Sequence, residues 1–135
     1  MNNKRYPRLA ADTIIRMEGF PASVVLVKRK FPPEGWAIPG GFVEYGETVE
    51  GAAVREAWEE TTLQVKLLRQ FHVYSDPGRD PRGHIVTVCF TGRKKRGKLK
   101  ADTDASEVAC MKLDVISKLD LAFDHEKILT DALHL

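Results

Sequence analysis

The order of apolar and polar residues predicts a chain that mixes strands and helices. Residues 9–17 and 23–29 are short runs rich in β-branched and other apolar side chains, as is typical of strands, and a Gly-Phe-Pro turn at 19–21 separates them. The second run is apolar enough to lie at the centre of a sheet. Two further strands are predicted within 64–74 and at 85–91.

Two segments have the periodicity of helices. Residues 51–61 contain no proline and are rich in alanine, and Thr48 is placed to cap the helix N-terminus. Ala53 and Ala57 share one side of this helix, so it is expected to pack through small side chains. The segment 125–135 predicts a second, amphipathic helix. Its apolar stripe consists of Ile128, Leu129, Ala132 and Leu133.

Length and composition indicate one globular domain. The chain has 135 residues, of which 43% are hydrophobic and 30% charged, with a net charge of +2. A single domain over 1–135 is therefore expected. No apolar run reaches the roughly 20 residues of a membrane span, the N-terminus lacks the apolar region of a signal peptide, and the two cysteines fit no metal motif. The sequence predicts a soluble cytoplasmic protein with no membrane partner.

An excess of negative charge distinguishes residues 44–60. Six carboxylates lie in this stretch and Arg55 is its one cation, so mutual repulsion costs stability unless a cation binds. On the predicted helix Glu56, Glu59 and Glu60 stand at i, i+3 and i+4, and their carboxylates converge. Such a site suits Mg²⁺, with Mn²⁺ as the alternative ion. The other interpretation is a solvated acidic helix face.

The spacing of residues around these carboxylates resembles the Nudix box. The matching residues are Gly41, Glu47, Arg55, Glu56, Glu59, Glu60 and Leu63. Even without Leu63, six fixed letters at fixed spacing arise by chance with a probability of order 10⁻⁷ per start position, so the pattern is specific. One residue departs, because Thr62 stands where the family usually has glycine. That glycine ends the helix in a left-handed conformation, which a β-branched residue resists.

The resemblance implies both a fold and a metal-dependent hydrolase. The family fold is an α/β/α sandwich with a mixed β-sheet between the box helix and the C-terminal helix. Its members cleave nucleoside diphosphates linked to another moiety. By resemblance, Glu56, Glu59 and Glu60 bind the metal and take part in catalysis, and the carbonyl of Gly40 is a further ligand. The residues that hold the box in shape are then Gly41, Glu47 and Arg55.

The water that attacks phosphorus needs a general base, and the sequence leaves its identity open. Glu59, Glu60 or Glu107 could accept the proton. Glu107 and, with less support, Asp104 belong to an acidic segment that resembles one lying near the metal in the family. The alternative role for these last two residues is capping of a loop or helix start.

A long loop at 75–84 joins two predicted strands and is rich in arginine, glycine and proline. Loops of this kind are often functional, and arginine forks suit phosphate. The segment Arg-Asp-Pro-Arg-Gly-His resembles a loop of the ADP-ribose pyrophosphatase branch, which implies that Arg79, Arg82 and His84 bind substrate. The alternative is that Asp80 pairs with Arg82 and holds the loop in shape.

Two further residues are substrate-binding candidates by resemblance. Arg29 follows the second predicted strand, where the family often has an arginine that reaches substrate. A solvated strand end explains Arg29 equally well. Phe123 belongs to a Leu-Ala-Phe-Asp-His motif that recurs in the ADP-ribose branch, and its ring could stack on a base. A place in the core is the alternative for Phe123.

The run from Arg93 to Lys100 carries six cations. The favoured interpretation is a solvated β-hairpin tip. A nucleic-acid patch is the sharper but less favoured interpretation, because no aromatic residue interleaves the run. A nucleic-acid partner is therefore not expected.

These features predict an enzyme that hydrolyses ADP-ribose, or a similar nucleoside diphosphate sugar, to AMP and ribose 5-phosphate. One alternative is a nucleoside triphosphate pyrophosphohydrolase that cleans the nucleotide pool. Another is a non-catalytic ADP-ribose sensor, which the complete set of box carboxylates disfavours. A third is RNA 5′-end processing, which only the basic run suggests. A homodimer is expected by analogy with many ADP-ribose pyrophosphatases.

Overall fold

The computed structural model describes residues 4–99 and 107–134. Within them the strands are β1 (Arg8–Arg16), β2 (Ser23–Arg29), β3 (Gly35–Ala37), β4 (Gly40–Phe42), β5 (Leu63–Tyr74), β6 (Ile85–Gly97) and β7 (Glu107–Lys112). The helices are α1 (Val49–Thr61), a 3₁₀ helix (Leu113–Lys118) and α2 (His125–Leu133).

The strands form two sheets. The first is mixed and has the order β4-β1-β6-β5, with β1 parallel to β6 and the other pairs antiparallel. The second is antiparallel and has the order β3-β2-β7. The predicted mixed sheet between helices is confirmed, and β2 lies in the second sheet.

The two helices cover opposite sides of the strands. Ala11 of β1 packs with Ala52 and Ala53 of α1, whereas Ile14 of β1 packs with α2 through Ile128 and Leu129. Because successive side chains of a strand point to opposite faces, this alternation places β1 between the helices. Small residues on α1 let the helix lie close to β1 and β4, which brings its carboxylates to the ends of these strands.

Both ends of α1 are fixed by threonine. The Thr48 hydroxyl accepts a hydrogen bond from the Gly51 amide at 2.9 Å, which confirms the predicted N-cap. Thr62 adopts the left-handed conformation of the family's glycine, with φ 59°. Its hydroxyl donates to the carbonyl of Lys98 at 2.6 Å, a bond that glycine cannot make.

The prediction of a hairpin tip at residues 93–100 is wrong for residues 93–97. Residues 93–97 continue β6, and this strand extends to Gly97, which pairs with Leu63. The reason is that β5 begins directly after α1 and offers twelve residues of backbone for pairing. Polar side chains are tolerated there because this end of the sheet is exposed to solvent.

The structure also describes the two cysteines and the character of the helices. Cys89 is buried, Cys110 is partly buried, and both are free thiols. Among the described residues, neither helix has the length and apolar character needed to cross a membrane.

Candidate active site

A cavity of about 430 Å³ lies where β1, β4, α1 and the loop at 75–84 meet the segment that precedes α2. Two sets of side chains line it. The carboxylates are Asp12, Glu56, Glu59, Glu60 and Asp80. The arginines and aromatic rings are Arg29, Arg79, Arg82, Phe31, Phe42, Phe123 and the imidazole of His125. The size is within the range of cavities that bind drug-sized ligands.

Glycine backbone lies directly against the carboxylates. A Cβ atom on Gly41 would lie 2.5 Å from the carboxyl carbon of Glu56, and one on Gly40 would collide with Asp12. The Gly40 amide donates a hydrogen bond to Glu60 Oε1 at 2.7 Å. These contacts explain the Gly-Gly pair, since any side chain here would displace a carboxylate.

The carboxylates are held at a cost in electrostatic energy. Burial raises the pKa of Glu60 to about 8, and the charges of Glu56 and Asp12 act in the same direction, against the hydrogen bond from Gly40. Burial also raises the pKa of Glu56, although the hydrogen bond from Arg55 opposes the shift. The site therefore favours the binding of a proton or another cation.

Arg55 organises the box. Its guanidinium donates to both oxygens of Glu47 at 2.8 Å and to the carbonyl of Phe42 at 3.0 Å. It also reaches Glu56 at 2.7 Å and Glu59 at 3.2 Å. The hydrogen bond from Arg55 lowers the pKa of Glu47 to about 2. Glu47 and Arg55 thus tie β4 to α1, in agreement with a structural role.

The donor set suits a hard divalent cation. Within residues 4–99 and 107–134, no group of three or more His, Cys, Asp or Glu side chains is arranged so that it could hold a metal ion. In this arrangement Arg55 binds Glu56 and Glu59, while the Gly40 amide binds Glu60. Carboxylate oxygens are nevertheless the ligands that Mg²⁺ and Mn²⁺ prefer, and Glu56, Glu59 and Glu60 line one cavity, so the residues fit the implied metal by their chemistry.

Glu107 is not brought to the other carboxylates. It begins β7, pairs in register with Lys28 of β2, and its carboxylate lies 4.0 Å from the Lys28 ammonium. Both side chains are about half exposed, and Glu107 does not line the cavity. Asp104 lies outside the described residues. Of the predicted bases, Glu60 is partly buried and lines the cavity, while the Glu59 side chain is 55% exposed.

The arginines of the loop at 75–84 have different environments. Arg79 is 5% exposed and makes two hydrogen bonds to Asp124, at 2.8 and 2.7 Å, and one to the Thr87 hydroxyl at 2.8 Å. Arg82 is 37% exposed and pairs with Asp80 at 2.9 and 3.1 Å. The pairing of Asp80 with Arg82, which was the alternative interpretation of the loop, is therefore present. Arg82 also lines the cavity.

His84 lies outside the cavity. Its ring is exposed, and Nε2 is 3.0 Å from the carbonyl of Ser75 at the other end of the loop. This contact closes the loop at its base. The structure thus brings Arg82 and Arg79 to the cavity and leaves His84 apart from it.

Arginines and phenylalanines alternate in what we call the Arg–Phe stack, formed by Arg8, Phe42, Arg82, Phe123 and Arg29. The Arg82 guanidinium lies 5.2 Å from the ring centroid of Phe42 and 4.8 Å from that of Phe123. Arg8 lies 3.5 Å from the Phe42 centroid, and Arg29 lies 4.7 Å from the Phe123 centroid. Flat faces of this kind can stack on a nucleobase.

Phe123 is held in place by its neighbours in the chain. Its φ is 56°, a left-handed conformation that is unusual for a bulky residue. Asp124 is fixed by Arg79, and the His125 imidazole accepts a hydrogen bond from the Ile38 amide at 2.9 Å. The contacts of Asp124 and His125 hold Phe123 in this strained conformation, in which its ring lines the cavity.

Sequence reasoning missed Asp12, Phe42, Asp124 and His125 as members of the site. His125 is 4% exposed, and its Nε2 lies 3.4 Å from Asp12, which is 6% exposed. A signal for Asp12 exists in the sequence, since a charge in the middle of an apolar strand requires a partner. The other three are recognisable only from their contacts.

Comparisons with known proteins agree with this geometry. A model of the NUDIX domain matches residues 6–132. The chain is 48% identical over 128 residues to the ADP-ribose pyrophosphatase of Methanocaldococcus jannaschii, covering 93% of this chain and 73% of that protein.

Solved structures share the fold. The Nudix domain of Shewanella oneidensis NrtR, in complex with ADP-ribose, superposes with a TM-score of 0.81 at 25% identity, covering 97% of this chain and 89% of that one. A bifunctional NMN adenylyltransferase/ADP-ribose pyrophosphatase from Francisella tularensis, with AMP and a manganese ion, gives a TM-score of 0.76 at 25% identity. The match covers 98% of this chain and 43% of that one. The extent of the domain match and the 48% identity show that this chain belongs to the Nudix family.

Proposed function

We propose that this protein is a Nudix pyrophosphohydrolase that cleaves ADP-ribose to AMP and ribose 5-phosphate. One observation carries the proposal: a single cavity is lined by carboxylates suited to a metal and by arginines and aromatic rings suited to a nucleotide. The relatives named for ADP-ribose hydrolysis or bound to ADP-ribose support the choice of substrate.

The carboxylate side of the cavity would take the pyrophosphate. Glu56 and Glu60, with Glu59 and the Gly40 carbonyl, would hold Mg²⁺ or Mn²⁺. When bound, such an ion neutralises phosphate charge and activates water. The hydroxide equivalent adds to one phosphorus as the bridging P–O bond breaks, and the second phosphate leaves with the bridging oxygen. Glu60 is the candidate to receive the proton, since it lines the cavity and is less exposed than Glu59, whereas Glu107 is outside the cavity.

The arginine and aromatic side would hold the nucleoside. Phe123 offers a ring whose backbone is already fixed, and a base stacked there gains contact without a large loss of conformational entropy. Arg29 and Arg82 lie over the ring, so the base would take the place of one guanidinium, and these groups match phosphate or ribose oxygens. In this proposal Arg79 supports the site through Asp124 and does not itself bind substrate.

The test is a hydrolysis screen with Mg²⁺ and with Mn²⁺. The substrates are ADP-ribose, NADH, diadenosine polyphosphates, nucleotide sugars and nucleoside triphosphates. We expect ADP-ribose to have the highest kcat/KM, with AMP and ribose 5-phosphate as products. Efficient turnover of triphosphates without ADP-ribose would assign the chain to nucleotide cleaning, and tight ADP-ribose binding without turnover would make it a sensor.

A matched pair of variants on α1 tests the carboxylate assignment. Glu56→Gln keeps the side-chain shape but removes a charge from the cavity, so kcat/KM should fall by about a hundredfold or more. Glu50→Gln is the control, because Glu50 is exposed in the first turn of the same helix and does not line the cavity. Equal activities of the two variants would contradict the proposed site.

A location in the cytoplasm and a homodimeric state remain predictions of the sequence. Gel filtration with light scattering would measure the number of subunits.

A further inference from the structure

Three cations stand side by side across the mixed sheet, away from the cavity. Arg93 of β6 pairs with Arg16 of the parallel strand β1 and with Lys66 of the antiparallel strand β5. Side chains of directly paired residues project from the same face of a sheet, roughly 5 Å apart. The three positive charges therefore form a row, and like charges placed directly opposite each other destabilise a sheet.

Two more arginines extend the row on the same face. Arg69 pairs with Thr91, two residues before Arg93 on β6, and Arg96 pairs with Gln64, two residues before Lys66 on β5. We call Arg16, Lys66, Arg69, Arg93 and Arg96 the cationic face. Four of its members are exposed and Arg16 is partly buried.

The cationic face lacks compensating carboxylates among the described residues. None of its five cations forms an ion pair with an acidic side chain there. Glu18, two residues after Arg16 in the sequence, is exposed in the turn after β1 and is in none of the ion pairs among the described residues. Arg69 lies 5.5 Å from the centroid of the Phe71 ring, a contact that leaves its charge in place. A cluster of like charges held together without carboxylate partners among the described residues favours an anion from outside the protein.

The face is distinct from the cavity. It lies beyond the part of the sheet that α2 covers, where Ile14 of β1 packs on Ile128 and Leu129. Asp12 lines the cavity, and Arg16 is four residues farther along β1, which corresponds to roughly 13 Å in an extended strand.

The side chains on and around the cationic face indicate which kind of anionic partner fits it. Its polar neighbours Gln64 and Thr91 supply no apolar centre of the kind that protein interfaces bury. The large exposed apolar side chains near the row are Leu68 and Phe20, at 56% and 52% exposure, and two separate residues do not form the continuous apolar face that inserts into a lipid surface. Cations arranged in a line match a chain of phosphates, and Phe20, 52% exposed in the turn after β1, provides an aromatic ring at the same end of the sheet.

From these observations we infer that the cationic face binds single-stranded nucleic acid through its phosphates. The sequence pattern alone pointed to a solvated hairpin tip. The strand pairing changes that view, because Arg93 acquires Arg16 and Lys66 as neighbours from distant parts of the chain. Recognition of phosphates carries no base sequence, so RNA and DNA strands of any sequence are ligands.

The experiment measures fluorescence anisotropy of a labelled twelve-nucleotide RNA, and of DNA with the same sequence, titrated with the full chain in EDTA. Chelation of divalent ions keeps the readout independent of the proposed hydrolysis. The test variant is Lys66→Ser with Arg93→Thr. The control is Lys112→Ser with Lys118→Ser, which removes the same charge from exposed positions elsewhere.

We expect the test variant to bind both oligonucleotides at least tenfold more weakly and the control to change by less than twofold. The slope of log Kobs against log salt should fall by about 1.4 in magnitude, since each phosphate contact on a single strand contributes about 0.7. Arg93→Thr alone should raise the melting temperature, because it relieves repulsion in the row. If Arg93→Thr is more stable than the wild type and binds more weakly, unfolding cannot explain the loss of binding.

Three results would overturn the inference. Equal losses in the test variant and the control would make the binding a property of net charge. Unchanged binding in the test variant would place the contacts elsewhere. Tighter binding to phosphatidylserine vesicles than to the oligonucleotides, lost in the same variant, would make the face a membrane contact.

Discussion

Phe123 illustrates how one backbone torsion can determine a binding site. A left-handed conformation costs a non-glycine residue roughly 1–2 kcal/mol, and the strain persists because Asp124 and His125 are both anchored. The motif that contains these residues was recognisable in the sequence. Which of them faced the cavity depended on contacts with Arg79 and Ile38, which are distant in the chain.

Replacing each of the two arginines of the loop at 75–84 by lysine should change the stability of the protein by different amounts. Arg79→Lys loses bidentate and hydroxyl contacts in a buried place, so it should destabilise the fold by roughly 1–3 kcal/mol. Arg82→Lys keeps a cation opposite Asp80 near solvent and should cost less than about 1 kcal/mol. Chemical denaturation of both variants measures these values.

The loss of activity should have the opposite order, with Arg82→Lys more affected than Arg79→Lys. Arg82→Lys removes a flat fork from the Arg–Phe stack and should lower kcat/KM for ADP-ribose about ten- to a hundredfold. Folded Arg79→Lys should lose less. Weak hydrolysis of a nucleoside triphosphate is the control, and an equal loss on both substrates in Arg82→Lys would make Arg82 a structural residue.

At the scale of elements, the end of α1 shows a substitution that the fold accommodates. Strain alone predicts that Thr62→Gly stabilises the protein by roughly 1 kcal/mol. The bond from the Thr62 hydroxyl to Lys98 offsets this gain, since a hydrogen bond contributes about 1 kcal/mol. We therefore expect Thr62→Gly to change the free energy of unfolding by less than about 0.5 kcal/mol.

Thr62→Val provides the complementary measurement. Valine keeps the β-branched shape and its strain but cannot donate to Lys98, so it should destabilise by about 1–2 kcal/mol. A valine variant as stable as the wild type would mean that the hydroxyl contributes nothing and that strain alone governs this position.

Elements with a clear period were predictable, and pairings between distant elements were not. The box helix, its threonine cap and the apolar stripe of α2 follow from local sequence, because 3.6-residue periodicity and capping chemistry are local signals. The extension of β6 through residues 93–97 depends on β5, and no local pattern in a polar run reports that pairing.

At the scale of the molecule, stability should depend on pH through Glu60. Its pKa is raised from 4.5 to about 8 in the fold. A carboxyl with a raised folded pKa favours folding when protonated, so its contribution is full below about 4.5 and is lost as pH rises towards 8. Metal-free protein should lose more than about 1 kcal/mol between pH 5 and 8, since one pKa unit corresponds to about 1.4 kcal/mol.

Two comparisons isolate this effect. Glu60→Gln should have a flatter stability profile between pH 5 and 8, because it has no proton to release. Saturating Mg²⁺ should flatten the wild-type profile by binding the ionised carboxylates. Parallel pH profiles for the wild type and Glu60→Gln would show that Glu60 is not the strained group.

The candidate site was predictable only in part because its residues follow different rules. Box carboxylates and glycines keep a fixed spacing within one segment, so a pattern identifies them. Asp12, Phe42 and His125 line the cavity because of the tertiary fold, which no local pattern reports. Glu107 is the opposite case: its segment resembles the family's, but its strand register places it opposite Lys28 and outside the cavity.

The hydrogen bond between Ile38 and His125 makes the cavity floor observable by magnetic resonance. Its donor and acceptor are both nitrogens, the backbone amide of one residue and the imidazole Nδ1 of the other. In a uniformly ¹⁵N-labelled sample two spin-active nuclei therefore share one hydrogen, and a scalar coupling across the bond is measurable. A single cross-peak would report whether the floor keeps its shape as nucleotide and metal enter, without a mutation or an attached probe.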